Sequence, residues 1–144
     1  MRHCLDTVMF FCAGRGTRMG TLTQHQPKPM VNVAGRPLID HAMDAMEGVE
    51  RRFANLHYLP NALEKYLSLA RFETIFEQDL LETGGGLKHA LPRINRSEIF
   101  TMNTDSAWSG PKPAQWLAQH WQPDIMDGLL LLVPKERAIG HKGI

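Results

Sequence analysis

Two glycines, two cations and one acidic residue are the parts of this sequence whose types and spacing could do chemistry. Gly14 and Gly16 follow directly on the apolar run Val8 to Cys12, Arg18 comes next, and Lys28 stands between Pro27 and Pro29. A strand that ends in a glycine turn directs several backbone N–H groups to one point, and fixed cations beside that point make it a seat for a polyphosphate. The plainer reading of the same residues is a strand-to-loop turn with two solvated charges. The spacing argues against the commoner phosphate loops. No Lys follows Gly16, as a Walker loop requires, and Gly20 lies one residue too far on for a dinucleotide fingerprint.

Two further stretches follow apolar runs in the same way. Leu81-Glu82-Thr83-Gly84-Gly85-Gly86 sets three glycines before a helical pattern, where a flat base or ribose can lie against the backbone itself. A flexible loop, or a helix start without a ligand, is the alternative. Asn103-Thr104-Asp105 ends the run Ile99 to Met102. A single carboxylate there could deliver Mg²⁺ to a triphosphate, or Asn103 and Asp105 could simply form an Asx turn.

The elements that must position these residues follow from periodicity. Val8 to Cys12 suits a strand buried on both faces of a parallel sheet. Leu38, Ile39, Ala42 and Met46 recur at helical spacing until Gly48; Arg52 to Leu56 is a second strand; Pro60 opens an amphipathic helix carrying Leu63, Tyr66, Leu67 and Ala70 on one face. Phe72 to Phe76 is a third strand, Glu77 to Gly86 a loop, and Leu87 to Leu91 a short helix ended by Pro92. Ile99 to Met102, the helix Ala114 to Trp121 and a fifth strand, Gly128 to Val133, complete the pattern. Such alternation predicts a Rossmann-like α/β fold, a layered and mostly parallel sheet with helices on both faces. Ligands then lie beyond the carboxyl ends of the strands, where all three candidate stretches fall.

The order G-x-G-T-R-M, L-T, P-K-P, carried by Gly14, Gly16, Thr17, Arg18, Met19, Leu22, Thr23, Pro27, Lys28 and Pro29, resembles the signature of the sugar-1-phosphate nucleotidyltransferases. LETGGG resembles their base-binding stretch, most of all that of the N-acetylmuramate-1-phosphate uridylyltransferases. The resemblance implies that a sugar-1-phosphate oxygen attacks the α-phosphorus of a nucleoside triphosphate, UTP in the sense of that subfamily, and expels pyrophosphate with Mg²⁺ as cofactor. It further implies that Arg18 holds the leaving pyrophosphate, Lys28 the α-phosphate and Asp105 the metal, while Ala13, Gly14, Gly16, Thr17, Glu82, Gly84 and Gly85 contact the nucleotide. A mannose-1-phosphate guanylyltransferase is the alternative within the class, and a non-catalytic nucleotide-binding or regulatory module the alternative outside it. Thr21 stands where many members have proline. Members also continue well past Ile144, so a C-terminally truncated nucleotide-binding portion, lacking a second metal aspartate and much of the sugar-phosphate site, is expected.

Composition sets the remaining bounds. The 144 residues, 43% of them hydrophobic, suit one domain over 1–144 with a sizeable core. With 16 basic and 15 acidic residues, a net charge of +1 and no block of like charge, neither a nucleic-acid nor a membrane-surface partner is favoured. The apolar run Leu129 to Val133 is too short to span a bilayer, and the N-terminal residues lack a signal-peptide layout, so a cytoplasmic protein is expected. The two cysteines and seven scattered histidines offer no disulfide or zinc spacing. His57 and His89 read as surface or cap residues, His141 could approach a sugar ligand or simply be a solvated loop residue, and Trp108, Trp116 and Trp121 read as packing groups.

Overall fold

The computed structural model describes residues 5–134 and 136. Its centre is β1 (Thr7–Phe11), whose first four residues are fully buried, because a strand in the middle of a parallel sheet has no solvent face. Two 3₁₀ turns, Thr17–Thr23 and Lys28–Met30, lead to a small antiparallel ribbon, β2 (Asn32–Val33) with β3 (Arg36–Pro37). Then come α1 (Leu38–Ala45), β4 (Arg51–Leu56), α2 (Pro60–Leu69), β5 (Phe72–Phe76), α3 (Glu82–Ile94), β6 (Phe100–Asn103) and α4 (Pro113–His120).

The four long strands form one parallel sheet in the order β5-β4-β1-β6. Period-two alternation in β1 divides the core. Val8 and Phe10 point to one face, where Ile39, Ala42 and Ala45 of α1, Leu63 and Leu67 of α2, and Ala114 of α4 cover them. Met9 points to the other, against Phe53, Ile75 and the Ala90 and Ile94 stripe of α3. Phe10 also meets Phe72 with ring centroids 5.1 Å apart and tilted 56°, a favoured aromatic geometry. Fully burying side chains such as Phe10, Phe53 and Met9 stabilises the fold by about 1.5 to 3 kcal/mol each.

Helix boundaries follow local chemistry. α2 starts with Pro60 at its first position, where a missing N–H costs nothing, and buries Leu63 and Leu67 one turn apart. α1 gives way to Gly48 at φ +90°, a left-handed conformation that glycine adopts without penalty.

The segment after Gly16 folds into 3₁₀ turns, with Thr23 Oγ1 donating to Gly16 O at 2.9 Å and to Gly20 O at 3.3 Å. Two expectations are corrected. The short helix Leu87 to Leu91 is in fact α3, which begins at Glu82 and runs through Pro92. Pro92 sits in the last turn, and the helix closes just beyond it on Asn95, in a left-handed conformation with its N–H on Leu91 O at 2.9 Å. Packing of Gly86, Ala90 and Ile94 outweighs the glycines and the proline. The fifth strand at 128–133 does not form: the stretch alternates half-buried Leu129 and Leu131 with Leu130 and Leu132, 77% and 76% exposed. Its side chains keep the strand period, but it has no place in the described ladders. His141 lies outside the described residues.

Candidate functional site

The sequence of connections creates the site. From β1 the chain winds outward through β4 to β5, then α3 carries it back across the opposite face to β6 on the other side of β1. The strand order therefore reverses between β1 and β6, and the carboxyl ends of those strands diverge into a crevice. A notch of about 90 Å³ lies there, lined by Phe11, Cys12, Gly14, Lys28, Pro29, Asn103, Thr104 and Asp105. The structure thus brings Gly14, Lys28 and Asp105 together.

Lys28 Nζ lies 2.6 Å from Asp105 Oδ2, and both side chains are partly open to solvent. Thr104 Oγ1 donates to Phe11 O at 2.9 Å, pinning the end of β6 to the end of β1 beside the notch. Gly16 has φ +64°, and a Cβ built on it would stand 3.0 Å from Lys28 Cβ and 3.0 Å from Thr23 Cγ2. Glycine at this position lets the lysine stem pass close to the turn. Ala13 is buried under the turn, whereas Thr17 and Arg18 are exposed on the 3₁₀ segment and do not line the notch. No acidic residue occurs between Asp6 and Asp40, so the segment that carries Arg15, Arg18 and Lys28 is basic, with the charge of Lys28 answered by Asp105 from the end of β6.

The glycine triplet lies inside the first turns of α3 rather than before it. Glu82 has φ +60°, a conformation uncommon for a non-glycine residue, and the helix start carries no side-chain cap. Its first N–H groups are left for a ligand or water. The three glycines differ in what they meet. A Cβ on Gly84 would meet nothing within 4 Å, one on Gly85 would touch Leu81 Cβ at 3.0 Å, and one on Gly86 would press on Glu77 Oε1 at 2.6 Å and Asn55 Nδ2 at 2.7 Å. Only Gly84 faces open space; Gly86 is demanded by packing.

Two groups behind the site were not singled out from the sequence. Tyr58, just past β4, donates its hydroxyl to Thr23 O at 2.8 Å and to Gln24 O at 3.3 Å, strapping the turn that carries Arg18. Asn55 and Glu77, 3% and 1% exposed, form a buried pair: Asn55 Nδ2 donates to Glu77 Oε1 at 2.8 Å. An asparagine among the buried apolar residues Phe53, Ala54 and Leu56 of β4 was the available signal. Cys12, also buried behind the notch, has its thiol pushed up to about 12 by burial.

A hard divalent cation needs oxygen ligands. Among the described residues no group of three or more His, Cys, Asp or Glu side chains converges on one point. Asp105 supplies one carboxylate at the notch, which suits Mg²⁺ only where phosphate oxygens and water complete the shell.

A parallel sheet in this order, with a glycine turn, a lysine and an aspartate at its switch point, defines a Rossmann-like fold of the nucleotide-diphospho-sugar transferase type. UDP-glucose pyrophosphorylase, solved with UDP-glucose, shares that fold with a TM-score of 0.69 and 20% identity over 81% of this chain and 52% of its own. Residues 8–138 match the MobA-like NTP transferase domain, and the chain belongs to that family. It is 38% identical to the N-acetylmuramate alpha-1-phosphate uridylyltransferase of Caulobacter vibrioides, over 97% of this chain and 63% of that protein. It is 32% identical to the mannose-1-phosphate guanylyltransferase of Mycobacterium tuberculosis, over 82% of this chain and 34% of that protein. The chain therefore spans less than two thirds of the length of these relatives. No helix among the described residues is long and apolar enough to cross a membrane.

Proposed function

We propose that this chain is the nucleotide-binding portion, a single domain over 1–144, of a sugar-1-phosphate nucleotidyltransferase that joins UTP to a sugar-1-phosphate and releases pyrophosphate. The observation that carries the reading is the contact between Lys28 and Asp105 at the switch-point notch beside Gly14. A cation, a carboxylate and a glycine turn are what a metal-bound triphosphate requires at one place. The uridylyltransferase relative supports uracil as the base and an amino-sugar phosphate as the acceptor. The reaction would then serve nucleotide-sugar supply for cell-wall material in the cytosol, where triphosphates are available.

Chemically the chain has little covalent work to do, because the attacking phosphate is already an anion. Its residues align the attacking oxygen with the departing pyrophosphate and offset charge as it builds. In this reading the Gly14 and Gly16 turn, with Ala13 and Thr17, receives the phosphates; Lys28 neutralises the α-phosphate; Arg18 follows the leaving pyrophosphate; Glu82, Gly84 and Gly85 receive base and ribose. Asp105 would hold Mg²⁺, which when bound polarises the phosphoryl oxygens. Lys28 and Asp105 then exchange their mutual contact for phosphate and metal.

GTP is the second reading of the base, supported by the guanylyltransferase relative. Affinities of this chain for Mg-UTP and Mg-GTP, measured beside pyrophosphate release with several sugar-1-phosphates, test this reading. Tighter binding of UTP with little release is the expected result, tighter binding of GTP reassigns the base, full turnover overturns the assignment of the chain as a nucleotide-binding portion, and no triphosphate binding overturns the reading altogether.

A further inference from the structure

We propose that Asn55 and Glu77 form a positioning relay that fixes the glycine segment of α3 to the phosphate turn after β1, holding the two halves of the nucleotide seat in one geometry. The proposal rests on the nucleotide-binding reading above. Its basis is a continuous chain of hydrogen bonds. Leu81 N–H, one residue before Glu82, donates to Glu77 Oε2 at 3.2 Å. Asn55 Nδ2 donates to Glu77 Oε1 at 2.8 Å. Cys12 N–H, at the entrance of the glycine turn, donates to Asn55 Oδ1 at 2.8 Å. Gly86 closes over the pair, since a side chain there would overlap both polar groups.

A buried carboxylate is a costly way to fill a core, and apolar side chains of similar volume would usually pack as well. What such a pair adds is direction. Each of its four bonding atoms faces a partner of the opposite kind, so the amides of Cys12 and Leu81 cannot shift independently without leaving a buried group unpaired. Glu77 is itself anchored, with its N–H on Leu56 O at 2.8 Å and its carbonyl 3.0 Å from His57 Nδ1. The ends of the relay are the two backbone segments to which the triphosphate and the base are assigned.

The donor pattern supplies its own test. Glu77→Gln alone makes two donors face each other in any orientation of the amides, and Asn55→Asp alone makes two acceptors face each other. The exchange Asn55→Asp with Glu77→Gln restores complementarity: the carboxylate at 55 accepts from Cys12 N–H and from the new amide, whose oxygen accepts from Leu81 N–H. Affinities for Mg-UTP and for tripolyphosphate are measured by calorimetry, with thermal unfolding of every variant. Each single change should weaken UTP about tenfold or more, and the exchange should return it to within about threefold of the parent. Single variants that bind UTP like the parent would overturn the relay, as would an exchanged protein of parental stability that binds no better than the singles. Should the single variants not fold, hydrogen exchange on the parent decides. Saturating uridine is expected to slow the Cys12 amide as well as residues 82–86, and an effect confined to 82–86 refutes the coupling. A parent that binds no nucleoside triphosphate sinks the underlying assignment and the relay with it; normal parental binding with neutral variants sinks the relay alone.

Discussion

Lys28 and Asp105 lie 77 residues apart in the chain, yet Nζ and Oδ2 meet at 2.6 Å. The contact exists because β1 and β6 are neighbours in the sheet and both end at the same crevice. With both side chains partly exposed, the pair contributes little to stability, on the order of 1 kcal/mol or less. Its value is in placing opposite charges where a metal and a phosphate would replace each partner's contact.

Lys28→Ala should therefore weaken Mg-UTP binding by about 2 kcal/mol or more while barely moving the unfolding temperature. Calorimetry beside a thermal melt checks both halves. Unchanged affinity would remove Lys28 from the phosphate seat.

Arg18 presents a different case, since it is exposed and makes no ion pair among the described residues. Arg18→Ala should leave folding untouched and reduce UTP and tripolyphosphate affinity together, by on the order of 2 kcal/mol, with little effect on uridine. A variant that binds all three like the parent would end its assignment to the leaving group.

The glycines of α3 should separate binding from packing. Gly84→Ala meets open space and replaces a poor helix former, so it should be neutral or stabilising by about 0.5 to 1 kcal/mol while lowering nucleotide affinity. Gly86→Ala forces a methyl onto Glu77 and Asn55 and should destabilise by about 1 to 3 kcal/mol. Gly85 is the less discriminating site, because its Cβ would press on Leu81 Cβ at 3.0 Å. Equal melting temperatures for the Gly84 and Gly86 variants would contradict this division.

Cys12 supplies a pH prediction. Its thiol is held neutral up to about 12, whereas an unfolded thiol ionises near 8.5. A raised folded value means that this contribution is fully present below the unfolded value and is lost as pH rises from there toward the folded one. Stability should fall across that alkaline window, and less steeply in Cys12→Ala. Equal slopes in denaturant titrations at several pH values would refute it.

The strands were legible in the sequence because their apolar runs are bounded by turns: Phe72 to Phe76 was read to the residue, and β4 and β6 to within a residue at each end. Gly14, Lys28 and Asp105 were legible as candidates, and that they line one notch followed from strand order. What escaped was set by distant contacts. The start of α3 was hidden by three glycines and by Glu82 in a left-handed conformation, both of which argue locally against helix. The Asn55 and Glu77 pair joins β4 to the residue just past β5 through side chains, and no periodicity reports such a bond. The run at 128–133 carries a strand's composition, but composition does not supply the neighbouring backbone that a strand needs.

The seam between β1 and β6 also bears on how the molecule assembles. Val8 stands opposite Arg52 across a single crossover, whereas its partner on the other side, Phe100, is more than twice as far away along the chain. Loop-closure entropy makes that pairing the costlier one, and among the described residues β6 is held on one side only. The crevice that gathers Gly14, Lys28 and Asp105 thus lies at an edge seam closed over a long loop, so amide protons of β6 should exchange before those of β4. A nucleotide bridging the seam would act as a late clamp on the folded state, raising the cost of that opening in proportion to its own affinity.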